Sequence, residues 1–449
     1  MTRARRDGLY LLLTGTVLFL ALGIGLENSS SSAMQDFRVV YYPARCLMHG
    51  CDPYNETEVL RVLNAEGGNR PTDTPTVRQI VTHYIYPPTA FFFTVPIASL
   101  PWGPAHILWL TLTVASLILA SFLMWNLGAV YAPVPSGVLV GFLLANTELI
   151  VISGNSAGIV VSLCVVAVWC VVQERYVSLG ILCLAISLAI KPHDSGLVWL
   201  YFLLAGGIYR KRAIQALLAM VALSLPVVLW TWRASPHWMQ ELKSNIALFS
   251  VHGGLTDPGP AAVAANGPGM LTNLQAVISV FKDDPRFYNP VTYAIFVPLL
   301  LIWIFATLRS RPSLARVWLA LAAIATLSML PVYHRQYDAK LLLLTVPACA
   351  MLWVEGGLIG WLALLVTSAG FVLTADLPQA TLLVLVDKLH LGATGLSGQV
   401  QAALQAFPAP IILLVMGIFY LWVYFRRTAP DTQPARSGQG DALTVSGIA

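Results

Sequence analysis

The chain has 449 residues, 57% of them hydrophobic and only 10% charged, with a formal net charge of +5. A soluble chain carries about 25% charged residues, so this composition excludes a soluble multidomain protein and indicates a polytopic helical membrane protein, in which each crossing needs about 20 apolar residues. The basic residues stand at the ends of apolar runs rather than in an aromatic-interleaved patch, which excludes a nucleic-acid partner.

In chain order, Arg3, Arg5 and Arg6 precede an apolar run at 9–26. Ser31-Ser32-Ala33 behind it has the outline of a cleavage site, but the length of the run favours an uncleaved first helix. Its basic start places the N-terminus in the cytoplasm. Residues 27–101 then form a first outer loop. Its last part, YPPTAFFFTVPIASLP (86–101), is apolar but short and proline-interrupted. For the basic segments QER (173–175) and YRKR (209–212) to be cytoplasmic, this part must lie at the interface without crossing.

Further crossings are expected at 102–127, 136–152, 159–172, 177–190, 195–208, 213–232, 291–308, 314–330, 341–354, 358–374 and 410–425. With the first helix they give an all-α bundle of about twelve helices. The expected organisation is one integral-membrane domain over 1–427, with outer loops at 27–101, 233–290 and 375–406, and a disordered cytoplasmic tail at 428–449. The long outer loops hold most of the unusual polar residues, so chemistry is expected on that face.

The stretch AMQDFRVVYYPARCLMHGCDPY (33–54) concentrates charge and aromatic rings directly after the first helix. Asp36 near a low-dielectric boundary suits a general base; it also suits a helix N-cap. Tyr41 and Tyr42 would hold the segment near the headgroups, with Arg45 beside them. Cys46 and Cys51 form a local disulfide if the stretch faces an oxidising compartment, and are two free thiols otherwise.

Lys191, in KPHD, either snorkels to the interface or binds a lipid phosphate. In PVYHRQYDAK (331–340), Arg335 can fork onto a phosphate and His334 can donate to one, with Tyr337 alongside; the same residues can simply anchor helix ends. Asn155 in SGNSAG, Glu148 before it, and His83 and Tyr86 ahead of Pro87-Pro88 are further candidates for a cavity lining. The chain has no Walker A loop, no dinucleotide-binding glycine loop, no HExxH and no GxSxG. An activated group would therefore arrive on a lipid carrier.

The first-loop stretch resembles the signature of glycosyltransferase family 87 (DUF2029). Asp36-Phe37, Tyr41-Tyr42, Ala44, Gly50 and Pro53-Tyr54 fit it, as do Tyr86-Pro87-Pro88, Lys191-Pro192 and the His334 region. Gly154-Asn155 resembles a shortened Gly-Gln-x-Asn motif that lacks its Gln. Asn273-Leu274-Gln275 faintly resembles a loop motif.

The resemblance implies a GT-C-like fold in the inner (plasma) membrane and an extracytoplasmic active site. It implies inverting transfer of a sugar, typically mannose, from a polyprenyl-phosphate carrier to a glycolipid or glycan acceptor. Asp36 would be the base. Lys191, His334 and Arg335 would meet the phosphate, and Tyr41, Tyr42, Arg45, His83, Tyr86, Asn155 and Tyr337 would line the cavity. No cofactor and no metal are expected. The competing readings are a flippase or transporter of a lipid-linked sugar and an O-antigen polymerase or ligase. The first predicts polar or broken helices at mid-membrane, whereas the helix interiors here are apolar. The second is expected to rely on arginines in a large outer loop, and 233–290 holds only Arg233 and Arg286.

Overall fold

The computed structural model describes residues 1–30, 33–71, 73–262, 271–378, 380–381 and 408–428. Most of the expected third outer loop and all of the expected tail beyond Thr428 lie outside the described residues. Among those described there is no strand, and one isolated bridge joins Leu271 to Arg335.

Among the described residues, six helices are long and apolar enough to cross a membrane by length and composition: α1 (Arg3–Ser29), α6 (Trp102–Gly128), the pair α7 (Pro133–Leu144) and α8 (Glu148–Ser153), α12 (Gly207–Ala234), Pro285–Arg309 and Pro408–Arg427. They coincide with six of the twelve expected crossings. The other six coincide with shorter pieces: α9 (Ala157–Val172), α10 (Val177–Ile190), α11 (Pro192–Ala205), Leu314–Leu327, Val346–Glu355 with the 3-10 segment before it, and Gly357–Leu373. Several of these short helices break where a cavity enters the bundle. Irregular backbone in an apolar surround is tolerated where it lines a cavity.

Burial sorts the helices. Leu314–Leu327 is buried at every position from Val317 onward, and α9 is buried nearly throughout. Both are apolar on all sides, as central helices must be. In contrast, α12 exposes Leu218, Leu225, Leu229 and Trp232. The tightest crossing joins α1 to α7. A Cβ on Gly15 would lie 2.1 Å from the Gly141 carbonyl oxygen, and one on Gly137 would lie 2.4 Å from that of Gly8. Gly137 and Gly141 are spaced as small-xxx-small, the pattern that lets membrane helices touch backbone to backbone.

One end of the bundle carries basic clusters on short helix connections, among them Arg5 bonded to Asn126 and Arg212 bonded to Val171. The opposite end carries a cap built from α2 (Gln35–Met48), α3 (Glu56–Ala65), α4 (Pro75–Thr82), α5 (Phe91–Ala98) and α13 (Trp238–Ser250). Residues 86–101 fold there as a 3-10 turn and the eight-residue α5, against about 20 residues for a crossing.

The cap has its own core. Phe37 stacks on Trp109 and Trp102, and Tyr42 stacks on Trp102. Buried Arg38 makes a two-pronged contact with Asp73 and also donates to the Gly68 carbonyl. Cys46 and Cys51 are joined by a disulfide, the first of the two expected alternatives.

Candidate active site

The cavity has a volume of about 380 Å³ and lies between the cap and the adjacent helix ends. Its polar wall comes from four chain breaks. Gln35 and Asp36 stand in the first turn of α2, Asn155 between α8 and α9, Lys191 between α10 and α11 with His193 in the first turn of α11, and Tyr333, Arg335, Tyr337 and Asp338 after Leu314–Leu327. Ile80, Ile85, Leu242, Ile246, Phe249 and Leu255 make the facing apolar wall. Three segments separated by well over a hundred residues thus converge on one cavity, as the sequence reading requires.

The local backbone explains how Asp36 reaches Asn155. Met34 caps α2 in the left-handed region at φ 59°, and its N–H donates to the Ile152 carbonyl at 2.7 Å. Gly154 closes α8 at φ +65°. A Cβ there would lie 2.5 Å from Met34 Sδ and 2.9 Å from Phe37 Cβ. Only glycine meets both demands, and the close approach places the next residue against α2. Asn155 Nδ2 donates to Asp36 Oδ2 at 2.7 Å. Asn155 Oδ1 accepts from Ala157 N at 2.8 Å and from Lys191 Nζ at 3.2 Å. Two donors at Oδ1 fix which way the amide faces.

Burial raises the Asp36 pKa above the ordinary carboxylate value; the Asn155 hydrogen bond and the charges of Arg335 and Lys191 oppose that shift without cancelling it. Burial likewise pushes the Tyr333 and Tyr337 hydroxyls up, so both are neutral donors.

The two cations on this wall differ. Lys191 Nζ lies 3.1 Å from Asp338 Oδ1 and 3.8 Å from Asp194 Oδ2, and sits over the Tyr337 ring. Its charge is compensated within the protein. The Arg335 guanidinium has no carboxylate in ion-pair range among the described residues. It reaches the Leu255 carbonyl at 3.4 Å and lies over the Tyr333 ring, with Nε unbonded. The Arg335 backbone N–H donates to Asp338 Oδ2 at 2.8 Å, so one aspartate orients both cation-bearing segments.

His83 and Tyr86 line the cavity as expected. Ser156 donates to the Tyr86 hydroxyl, and Tyr54 donates to the Tyr86 carbonyl. Tyr41, Tyr42 and Arg45 do not line it. Because 33–54 contains a helix, residues 5, 6 and 9 positions after Asp36 project from the other side of α2. There Tyr41 donates to the Leu100 carbonyl, Tyr42 stacks on Trp102 and Arg45 pairs with Glu66. Nor does His334 line the cavity: its ring is 1% exposed and stands behind the wall, near Asp194. Glu148 is buried away from it.

Asp338, His193 and Tyr333 join the wall although they were not singled out. Their signal was adjacency to Lys191 and Arg335 within two polar runs. Much of the apolar wall comes from α13, a helix inside the expected outer loop 233–290. Its Asn245 Nδ2 donates to the carbonyls of both Tyr54 and Tyr84 at 3.1 Å, holding the helix over the cavity.

The arrangement offers a desolvated carboxylate and a guanidinium without a contact ion pair on one polar wall, facing a lipid-compatible one. Comparison with curated proteins and with solved structures gives no match. The model of glycosyltransferase family 87 matches residues 84–332, more than half of the 449. Asp36 precedes the matched segment and Arg335 follows it, so their roles rest on geometry. The chain belongs to glycosyltransferase family 87, and is a membrane glycosyltransferase.

Proposed function

We propose that this enzyme transfers a sugar, mannose in the simplest reading, from a polyprenyl-phosphate carrier to a hydroxyl of a glycolipid or glycan acceptor, with inversion. The observation that carries the reading is Asp36 and Arg335 on the wall of one cavity whose other wall is apolar. Asp36 accepts the proton of the acceptor hydroxyl as that oxygen attacks the anomeric carbon. The bond from that carbon to the phosphate oxygen breaks on the opposite side. The departing phosphate takes up negative charge, which the Arg335 fork meets, with the tyrosine hydroxyls nearby. Lys191 supports the site through Asn155 and Asp338. The apolar wall of α4 and α13 suits the first prenyl units of the carrier.

The basic clusters on short connections at the far end of the bundle, such as 209–212 and 309–311, favour a cytoplasmic position for that end. The cavity end then faces outward, where a lipid carrier is the available source of activated sugar. The test is transfer of radiolabel by purified protein from polyprenyl-phosphate mannose to membrane-extracted acceptors. Wild type transfers label, and Asp36→Asn, folded to the same melting temperature, loses about 10²–10⁴-fold in rate, the range of general-base catalysis. Normal transfer by Asp36→Asn removes the base, and transfer from a nucleotide sugar removes the lipid donor.

A further inference from the structure

Behind the polar wall, three side chains that the transfer chemistry does not use converge on one point. His193 and Asp194 open α11, and His334 comes from the segment after Leu314–Leu327. His334 Nε2 lies 3.3 Å from Asp194 Oδ1, and His193 Nε2 lies 3.5 Å from the same oxygen. The three ligating atoms lie within 4.8 Å of one another. Asp194 Oδ2 is turned to Lys191, which leaves Oδ1 for the two rings.

The tautomer of His334 is fixed. Its Nδ1 is 3.0 Å from the Val332 carbonyl oxygen, which only accepts, so Nδ1 carries a proton. In a neutral ring Nε2 then directs a lone pair toward a carboxylate, and the contact needs positive charge between them. A proton on Nε2 or a metal ion can supply it. Neither Asp194 oxygen nor His334 Nε2 has a hydrogen-bond partner among the described residues, although Nε2 stands 3.3 Å from Asp194 Oδ1. A metal ion fits this spacing. Four ligands at about 2.0–2.1 Å around a tetrahedral ion stand about 3.3 Å apart. A backbone carbonyl on the far nitrogen is also the usual support of a metal-bound imidazole.

Charge is compatible with a cation here: Asp194 and Asp338 stand 3.8 Å and 3.1 Å from the Lys191 ammonium, so two carboxylates share one cation.

We propose that His193, Asp194 and His334 form a binding site for one divalent transition-metal ion of the zinc type. His193 lines the cavity, so the open coordination position faces water or a phosphate oxygen there. The site replaces the expectation of a metal-free enzyme and gives His334 a ligand's role. Metal binding is read without sugar transfer, so it stands or falls apart from the proposed reaction.

The experiment uses full-length, tag-free protein in detergent, stripped with chelator and titrated with Zn²⁺, and with Co²⁺ as a spectroscopic probe. Wild type binds one equivalent, melts at a higher temperature with the ion, and gives the visible bands of four-coordinate Co²⁺. His193 is partly exposed, so His193→Ala keeps the metal-free melting temperature while losing at least about tenfold in affinity. His252→Ala, in a separate surface cluster with Asp257 and Asp283, binds as wild type does. The proposal is overturned if wild type shows neither stoichiometric binding nor a melting shift. It is equally overturned if His193→Ala binds as tightly as wild type, or if His252→Ala abolishes binding. Wild type that ignores metal but loses stability as pH rises through the imidazole range assigns the rings to imidazolium and also overturns it.

Discussion

Replacing Asn155 with Leu removes the amide while keeping the branching at Cγ, and tests whether Asp36 is the titrating base. The amide donates to Asp36 Oδ2 at 2.7 Å, and this bond is the first of the effects holding down a pKa that burial raises. A hydrogen bond to a charged group contributes about 1.5–3 kcal/mol, and one pKa unit corresponds to about 1.4 kcal/mol. Losing the bond therefore raises the Asp36 pKa by about 1–2 units. A base works deprotonated, so transfer is present above that pKa and lost as pH falls through it. The variant's acid limb moves to higher pH, while at alkaline pH its rate approaches that of wild type. The assay is kcat/KM for sugar transfer across pH, with the melting temperature followed in parallel. An acid limb that stays in place while the rate drops evenly at every pH would make Asn155 a packing residue and remove Asp36 as the group that sets the profile.

Arg335→Gln should raise KM for the lipid-phosphate donor by about 10–100-fold, the loss of one charge-assisted fork. Arg335→Lys restores little of it, because an ammonium cannot reproduce the fork; equal KM values for the two variants and wild type would refute the assignment. Gly154→Ala combines a left-handed φ with a clash against Met34 and Phe37. It should cost about 1–3 kcal/mol and weaken transfer by moving Asn155 from Asp36, read by melting and kcat together. Asn245→Ala should release α13 and raise KM for both lipid substrates while leaving the acid limb in place, since the Asn245 amide bonds the Tyr54 and Tyr84 carbonyls and not Asp36. Gly141→Val should destabilise the protein by at least about 1–3 kcal/mol in thermal melts, because its side chain would enter the Leu11 backbone.

Much of the site was legible because its residues stand where apolar runs stop. Lys191, Asn155 and Arg335 each interrupt or end such a run, and a polar residue at that position is costly unless it has a use. Tyr41, Tyr42 and Arg45 were misplaced for want of one step: reading 35–48 as a helix puts them away from Asp36. The helix α13 could also have been found, since Trp238, Leu242, Asn245 and Phe249 recur at helical spacing. The pairing of Lys191 with Asp338 was beyond reach, because it spans 147 residues and depends on how two broken helices meet. The number of crossings was read from parity, whereas short helices such as α10 have 14 residues. Their ends are cut back by the cavity they line.

The Cys46–Cys51 bridge gives the molecule a chemical handedness. A disulfide persists where the surroundings are oxidising and is undone where thiol reductants circulate. The bridge joins the end of α2 to the turn in which Tyr54 N–H donates to Asp52 Oδ1. Tyr54 in turn holds the backbone of Tyr86 and accepts support from Asn245. A chain inserted upside-down would expose these sulfurs to reductant and loosen the clasp from which one cavity wall hangs. Misoriented copies would thus carry two further alkylatable thiols, at Cys46 and Cys51, beside the four buried free cysteines of every copy, and correct insertion can be counted by alkylation at those two positions without any substrate.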